Sequence, residues 1–203
     1  MTVVVMCGLP VSGKTTTAAR LHAAAGGSLI RSCDVYQSLG IVLPEWVRRT
    51  RGFTVDVAAY DAVRDEAYRE MGRRLDAALD AGATPVVLDA VHGERDKRQA
   101  VWQRCHAPGV RSVLVWCRCD DPGDIAARLR ARHGREAEPE HEAADASVFH
   151  DIARRWQDPR DDGTWPVIVQ YDTHIDRVRV CGAGEDDAAL AFIRAPLEGA
   201  SVR

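Results

Sequence analysis

The stretch GLPVSGKT at residues 8–15 has the residue types and the spacing that hold a chain of phosphates. A glycine, four arbitrary residues and then Gly-Lys-Thr form the P-loop, or Walker A, pattern. Backbone amides in such a loop can turn toward the phosphates because glycine adopts angles that side chains forbid. The lysine reaches the β- and γ-phosphates, and the hydroxyl after it is a ligand of Mg²⁺. The pattern predicts a nucleotide site with Mg²⁺, formed by Gly8, Gly13, Lys14, Thr15 and Thr16.

Two aspartates follow apolar runs and are candidates for the rest of the chemistry. Asp34 ends the segment RSCD after the second run, and Asp89 closes the third run, VVLD. In an open α/β sheet the carboxyl ends of the strands share one edge, so both would lie near the P-loop. Asp89 is predicted to help hold Mg²⁺, and Asp34 to accept the proton of an acceptor hydroxyl. The alternative for each is a helix cap, where aspartate is common in any protein.

Three arginines recur at helical spacing after the fourth apolar run, at Arg128, Arg132 and Arg135. Residues four and three apart share one face of a helix, so the three guanidinium groups would lie close together. A transferring phosphoryl group is the kind of anion that such a face stabilises. We predict a lid at about 128–146, with Arg128 and Arg132 acting in catalysis and Arg128 and Arg135 contacting the nucleotide. The alternative is a solvated, arginine-rich helix.

Apolar runs and helical patterns alternate along the whole chain. Buried parallel strands are predicted at about 2–7, 28–31, 84–88, 110–117 and 166–170. Helices are predicted between them, after the P-loop, over 56–82 and near 94–106, 122–133, 143–156 and 185–194. This alternation predicts an α/β fold with a parallel sheet and right-handed crossovers.

The bulk composition narrows the function classes. A chain of 203 residues with 46% hydrophobic content suits one domain, residues 1–203. The net charge of -3 gives no overall attraction to nucleic acid, although a local basic patch stays open. No signal peptide or long apolar run is present, so we expect a cytoplasmic protein without a membrane partner. The six cysteines include no C-x-x-C pair of the kind that binds metal or carries redox chemistry. The oligomeric state is left undefined by the sequence.

In their order and spacing, CGLPVSGKT, RSCD, VVLDA and the arginine series resemble the P-loop kinases grouped with polynucleotide 5′-kinases, zeta toxins and chloramphenicol phosphotransferase-like enzymes, which are AAA-type ATP-binding proteins. The resemblance spans residues 3–173 and includes Arg98, nine residues after Asp89. It implies a three-layer P-loop NTPase fold with a five-stranded parallel sheet in the order 2-3-1-4-5 and a helical lid. It also implies ATP as the phosphate donor, Asp34 as the general base and arginines on the lid.

Two departures from the group bear on the acceptor. Polynucleotide kinases carry an arginine three residues after the base, where this chain has Gln37. Where the group commonly has DAT followed by Asn or Phe after the third strand, this chain has DAVH. His92 then lies in a loop, where it could be a polar contact of the acceptor. Arginines of the segment 40–55 could replace the missing one, or could be solvated surface. The candidate acceptor contacts are Asp34, Gln37, Arg48, Arg51, His92 and Arg98.

We predict an ATP-dependent kinase that transfers the γ-phosphate to a hydroxyl of a small molecule. Two alternatives stay open: a polynucleotide 5′-hydroxyl kinase, and a regulatory P-loop ATPase of the tRNA-associated type. A GTPase is disfavoured because the sequence has no Asn-Lys-x-Asp guanine motif, and an ABC-type ATPase because it has no Ser-Gly-Gly signature. The candidate base at Asp34 favours a kinase over a regulatory ATPase.

Overall fold

The computed structural model describes residues 1–41, 57–106, 109–132, 139–182 and 188–198. Its centre is one six-stranded sheet in the order β2-β3-β1-β4-β5-β6. The strands are β1 Thr2–Cys7, β2 Ser28–Arg31, β3 Val86–Asp89, β4 Arg111–Arg118, β5 Val167–Asp172 and β6 Arg177–Gly182. The first five pair in parallel, and β6 lies antiparallel to β5. The carboxyl ends of β1, β2 and β3 therefore lie along one edge of the sheet.

Helices cover both faces of this sheet. They are α1 Lys14–Ala25, α2 Ser32–Ser38, α3 Val57–Asp80, α4 Arg95–Cys105, α5 Pro122–Arg132, α6 Pro139–Arg154 and α7 Ala188–Glu198. A 3₁₀ turn at Pro159–Asp162 lies between α6 and β5. Among the described helices none is both long enough and apolar enough to cross a membrane.

Successive residues of β1 point to opposite faces of the sheet and so enter two different cores. Val3 and Val5 pack into a core with Met71 and Leu75 of α3 and Val101 of α4. On the other face Val4 and Met6 pack with Leu21 of α1 and with apolar residues of α7, Leu190, Ile193 and Leu197. Burial on both faces explains why β1 is an unbroken apolar run.

The predicted parallel strand order 2-3-1-4-5 is confirmed, and the sheet has one strand more than was predicted. β6 has the sequence RVRVCG, in which arginine and valine alternate. Such alternation is typical of an edge strand with one covered face, whereas the search for continuous apolar runs finds only strands buried on both faces. The helix predicted over 143–156 begins earlier, at Pro139, where proline suits the first turn of a helix.

Candidate active site

The P-loop joins β1 to α1, and its glycines are required by close contacts. A Cβ atom added to Gly8, whose φ is +150°, would lie 2.4 Å from the carbonyl oxygen of Cys117. Gly13 has a φ of +86° and forms the N-terminal boundary of α1. The amide of Gly8 donates to the carbonyl of Val91 at 3.0 Å, which ties the P-loop to the segment after β3. These contacts hold the loop backbone in the shape that the motif predicts.

Lys14 folds back across the loop, and its side chain is mostly buried. Its Nζ donates a hydrogen bond to the carbonyl of Leu9 at 2.6 Å. The residue also lines a cavity that opens at this edge of the sheet and is described below. A buried ammonium group beside a cavity attracts an anion more strongly than an exposed one does, because water screens it less. The lysine is therefore placed to contact a phosphate in the loop.

Thr15 and Asp89 come together at the mouth of the P-loop. Asp89 is buried, and the hydroxyl of Thr15 donates toward its carboxylate. Burial raises the pKa of Asp89, while the Thr15 hydrogen bond and the charge of Lys14 act in the opposite direction. A hydroxyl and a carboxylate are hard oxygen donors of the kind that Mg²⁺ prefers. These two residues fit the predicted metal site.

Asp34 lies in the first turn of α2, three residues beyond the end of β2. Arg31 and Asp89 are opposite each other in the register of β2 and β3, so Asp34 lies at the same edge as the P-loop. Arg31 donates two hydrogen bonds to the Asp34 carboxylate, at 2.8 and 2.9 Å. Neighbouring Cys33 and Tyr36 line the cavity, and the Asp34 side chain at its margin is 40% exposed. Its charge is among those that raise the pKa of Asp89.

On the other side of the P-loop, Arg128 of α5 lies against the loop itself. Its guanidinium donates to the carbonyl of Val11 at 3.3 Å and to the hydroxyl of Thr173 at 2.8 Å. The Thr173 hydroxyl also donates to the carbonyl of Ser12 at 3.0 Å. Arg128 and Thr173 thus connect α5 and the end of β5 to the P-loop, and both line the cavity.

The structure corrects the assignment of His92 and Arg98 as acceptor contacts, because both side chains are fully buried. Nδ1 of His92 donates to the carbonyl of Met6 at 2.7 Å. Arg98 forms a two-bond ion pair with Asp162, at 2.6 and 2.7 Å, and donates to the carbonyls of His92 and Gly93. Both residues therefore support the segment between β3 and α4 from inside the protein.

A cavity of about 940 Å³ runs along this edge of the sheet, a size at the upper end of the usual range for ligand sites. One end is lined by Arg20, Arg128 and Thr173, and the middle by the P-loop and Asp89. In the sheet order, β3 and β2 lie on one side of β1, and β4 and β5 lie on the other. Thr173 follows β5, so the opposite end of the cavity lies beyond β3 and is formed by α2, α3 and α4. We call that end the tyrosine chamber, lined by Tyr36, Tyr60, Arg64, Tyr68, Glu94 and Lys97.

The remaining predicted contacts are divided between surface and undescribed chain. Gln37 is exposed on α2 and does not contribute to the cavity wall. Arg48 and Arg51 lie outside the described residues, as does Arg135. The backbone of Arg132 ends α5, but its side chain is not described. The lid at 128–146 stays a prediction for the same reason.

Sequence reasoning missed Thr173 and the wall of the tyrosine chamber. Thr173 is a single hydroxyl after a strand, and no local pattern distinguishes it from a turn residue. The chamber had a signal that could have been found: Tyr60, Arg64 and Tyr68 are each four residues apart, so they share one face of α3. That face runs beside the apolar stripe of Met71 and Leu75, which packs into the core.

A parallel sheet in this order, with a P-loop after its first strand and an acid after β3, defines a P-loop kinase-like, nucleotide-binding fold. Residues 3–159 match a protein family described as AAA domain, and the chain belongs to this family.

Three known proteins illustrate the similarity. A KTI12 homolog of Arabidopsis thaliana is 23% identical over 183 residues, covering 84% of this chain and 53% of that protein, so this chain spans about half its length. The crystal structure of Chaetomium thermophilum Kti12 in complex with ADP-AlF3 has a TM-score of 0.56 at 18% identity, covering 97% and 96% of the two chains. A gluconokinase from Sinorhizobium meliloti 1021 has a TM-score of 0.52 at 19% identity, covering 97% and 90%. At such identities the structural likeness concerns the fold.

Proposed function

We propose that this protein is a kinase that transfers the γ-phosphate of ATP to a hydroxyl group of a small molecule. The observation that carries the proposal is the shape of the cavity, which continues past the phosphate-binding loop into the tyrosine chamber. A protein that only hydrolyses ATP needs room for the nucleotide and a water molecule. A cavity of about 940 Å³ whose lining extends beyond the phosphate site to α2, α3 and α4 supports a second, larger substrate.

The residues around the P-loop have separate roles in this proposal. Lys14 and the loop amides hold the β- and γ-phosphates, and Arg128 approaches from the opposite side. Thr15 and Asp89 would hold Mg²⁺, which when bound neutralises charge on the phosphate oxygens. Asp89 is buried whereas Thr15 is exposed, so of that pair it is the carboxylate that is shielded from bulk water. We also propose that the protein is cytoplasmic and that its activity requires Mg²⁺.

Asp34 is proposed to orient the acceptor hydroxyl and to take its proton. A carboxylate has about four lone-pair positions. Arg31 occupies one on each oxygen, and the Cys33 thiol lies 3.6 Å from Oδ1. Oδ2 therefore keeps a position at which an acceptor hydroxyl can donate. The Arg31 pair fixes the plane of the carboxylate, so the hydroxyl is held in one orientation toward the phosphate.

The test is a screen of acceptors with γ-labelled ATP, covering nucleosides, sugars, antibiotics and 5′-hydroxyl oligonucleotides. Loss of a general base lowers the rate by about 10²–10⁴-fold, so Asp34→Asn should abolish transfer while ATP affinity changes little. Asp89→Asn should weaken Mg²⁺-dependent ATP binding as well as turnover. Asp80→Asn, an exposed change at the end of α3, is the matched control. Transfer by Asp34→Asn at the rate of the unmodified protein would remove Asp34 as the base.

The similarity to KTI12 proteins supports a second candidate, a regulatory ATPase that acts on a partner. One such structure is a complex with ADP-AlF3, so that relative binds nucleotide in this fold. This candidate predicts ATP hydrolysis that no small alcohol stimulates and that Asp34→Asn leaves unchanged. The kinase proposal predicts slow hydrolysis alone and label transfer to an acceptor, so a single assay with and without acceptors separates the two.

A further inference from the structure

The walls of the tyrosine chamber carry information about what the chamber binds. Tyr36 comes from α2, and Tyr60 and Tyr68 come from one face of α3. All three side chains line the same cavity, and burial raises the pKa of each hydroxyl, so the three groups stay neutral. Aromatic rings contribute large, rigid, uncharged surfaces that pack best against flat or apolar groups.

The apolar part of the chamber extends this surface. Val91, which follows β3, and Val148 and Ile152 of α6 also line the cavity. The hydroxyl of Tyr68 is already used inside the protein, since it accepts the amide of His92 at 3.0 Å. Tyr68 therefore offers a ligand its ring, beside Lys97 at 5.8 Å from the ring centroid, and the proton of its hydroxyl.

The cations of the chamber are compensated by carboxylates. Arg64 contacts Glu94 at 2.7 Å and Asp61 at 3.2 Å. Its side chain is 12% exposed, so this ion pair is weakly screened by water.

Lys97 has a similar environment, with Asp65 at 2.8 Å and Asp96 at 3.3 Å. Asp61 also pairs with Arg155 at 2.8 Å, and Arg155 pairs with Asp151 as well, so three cations face five carboxylates. An anionic ligand would have to displace these partners.

We propose that the tyrosine chamber binds an uncharged alcohol that carries a flat or apolar ring. The proposal rests on the proposed function, because it names the class of the phosphate acceptor. The ring packs against the tyrosines, and the hydroxyl points toward Asp34 and the P-loop. Phosphorylated and carboxylated acceptors, including nucleic-acid ends, are excluded by the carboxylates around Arg64 and Lys97, and ring-free polyols leave the aromatic wall without contacts.

The test measures binding, separately from transfer, by calorimetry on the full chain saturated with a non-hydrolysable ATP analogue. The probes are uridine and benzyl alcohol (uncharged, ring-bearing), uridine 3′-monophosphate (the same 5′-hydroxyl with added charge) and ribitol (no flat ring). We expect the uncharged ring-bearing alcohols to bind best. Tyr60→Leu should weaken them by roughly 2- to 10-fold, and Tyr60→Phe, which keeps the ring, should retain their affinity.

A charge variant tests the second half of the proposal. Glu94→Gln removes the nearest carboxylate from Arg64, so the affinity for uridine 3′-monophosphate relative to uridine should rise on the order of 10-fold. Binding of the phosphorylated probe or of ribitol as tightly as uridine by the unmodified protein would overturn the proposal. Label transfer is a separate measurement: a ring preference without transfer would support the chamber's specificity and contradict the kinase, whereas preferred transfer to the phosphorylated probe would do the reverse.

Discussion

His92 makes the stability of this protein depend on pH in a predictable direction. The side chain is fully buried, and its Nδ1 must carry the proton because it donates to the carbonyl of Met6. Burial, together with the nearby charges of Arg98 and Lys14, lowers the pKa of His92 from 6.5 to about 4. Between these two values the unfolded chain binds a proton that the folded chain does not. Stability from this residue is therefore complete above about pH 6.5 and decreases as the pH falls.

The magnitude follows from the two pKa values. A pKa difference between 6.5 and about 4 corresponds to about 3 kcal/mol of unfolding free energy once both states are protonated. About 2 kcal/mol of this is lost by about pH 4.5. Other acidic groups titrate in the same window, so the contribution of His92 must be isolated by comparison with a variant.

His92→Asn is the suitable variant, because His92 has a φ of +42° and asparagine tolerates positive φ better than most residues. Urea denaturation at about pH 7 and about pH 4.5 should show a loss of stability that is about 2 kcal/mol smaller in the variant. His106→Asn, at an exposed position, is the control for removing one histidine. Equal losses in His92→Asn and in the unmodified protein would refute the buried neutral histidine.

Three further predictions concern the P-loop and its support. Lys14→Ala should weaken ATP binding by roughly 1.5–3 kcal/mol or more, measured by calorimetry; unchanged affinity would contradict the phosphate contact. Gly8→Ala should abolish ATP binding while the circular dichroism spectrum is retained, because its Cβ would collide with the carbonyl of Cys117; normal binding would show that the loop can shift. Arg98→Met should cost roughly 3–5 kcal/mol in urea denaturation, because the buried Asp162 loses its two-bond partner and keeps the half-exposed Arg95 at 3.2 Å. The double change with Asp162→Leu should recover part of that loss, and no recovery would argue against a charge effect.

The sequence was sufficient for the features that depend on local pattern. Continuous apolar runs predicted the five parallel strands, and the P-loop motif predicted the backbone turn at Gly8 and Gly13. The position of Asp89 at the end of β3 followed from the rule that strand ends share an edge. Each of these depends on residues that are neighbours in the chain or on a general property of parallel sheets.

Contacts between distant segments were out of reach. The partner of Arg98 is Asp162, sixty-four residues further along the chain, and nothing near Arg98 indicates it. His92 and Arg98 were predicted to contact the acceptor because both follow a strand at the ligand edge. Their side chains are instead buried, His92 against the carbonyl of Met6 and Arg98 against the carboxylate of Asp162. Side-chain direction at a loop is decided by packing, which a single sequence does not display.

The face of α3 that bears Tyr60, Arg64 and Tyr68 has a consequence for how such a protein can diverge. The phosphate machinery is built from the P-loop and the end of β3, whereas this wall stands on a different helix. Under the proposed function, exchanging these three positions is expected to change the acceptor while the P-loop and Asp89 stay the same. In this layout, substitutions that alter acceptor specificity fall on a different helix from the residues that contact phosphate. Proteins descended from one ancestor could therefore differ in substrate while keeping the same phosphate site.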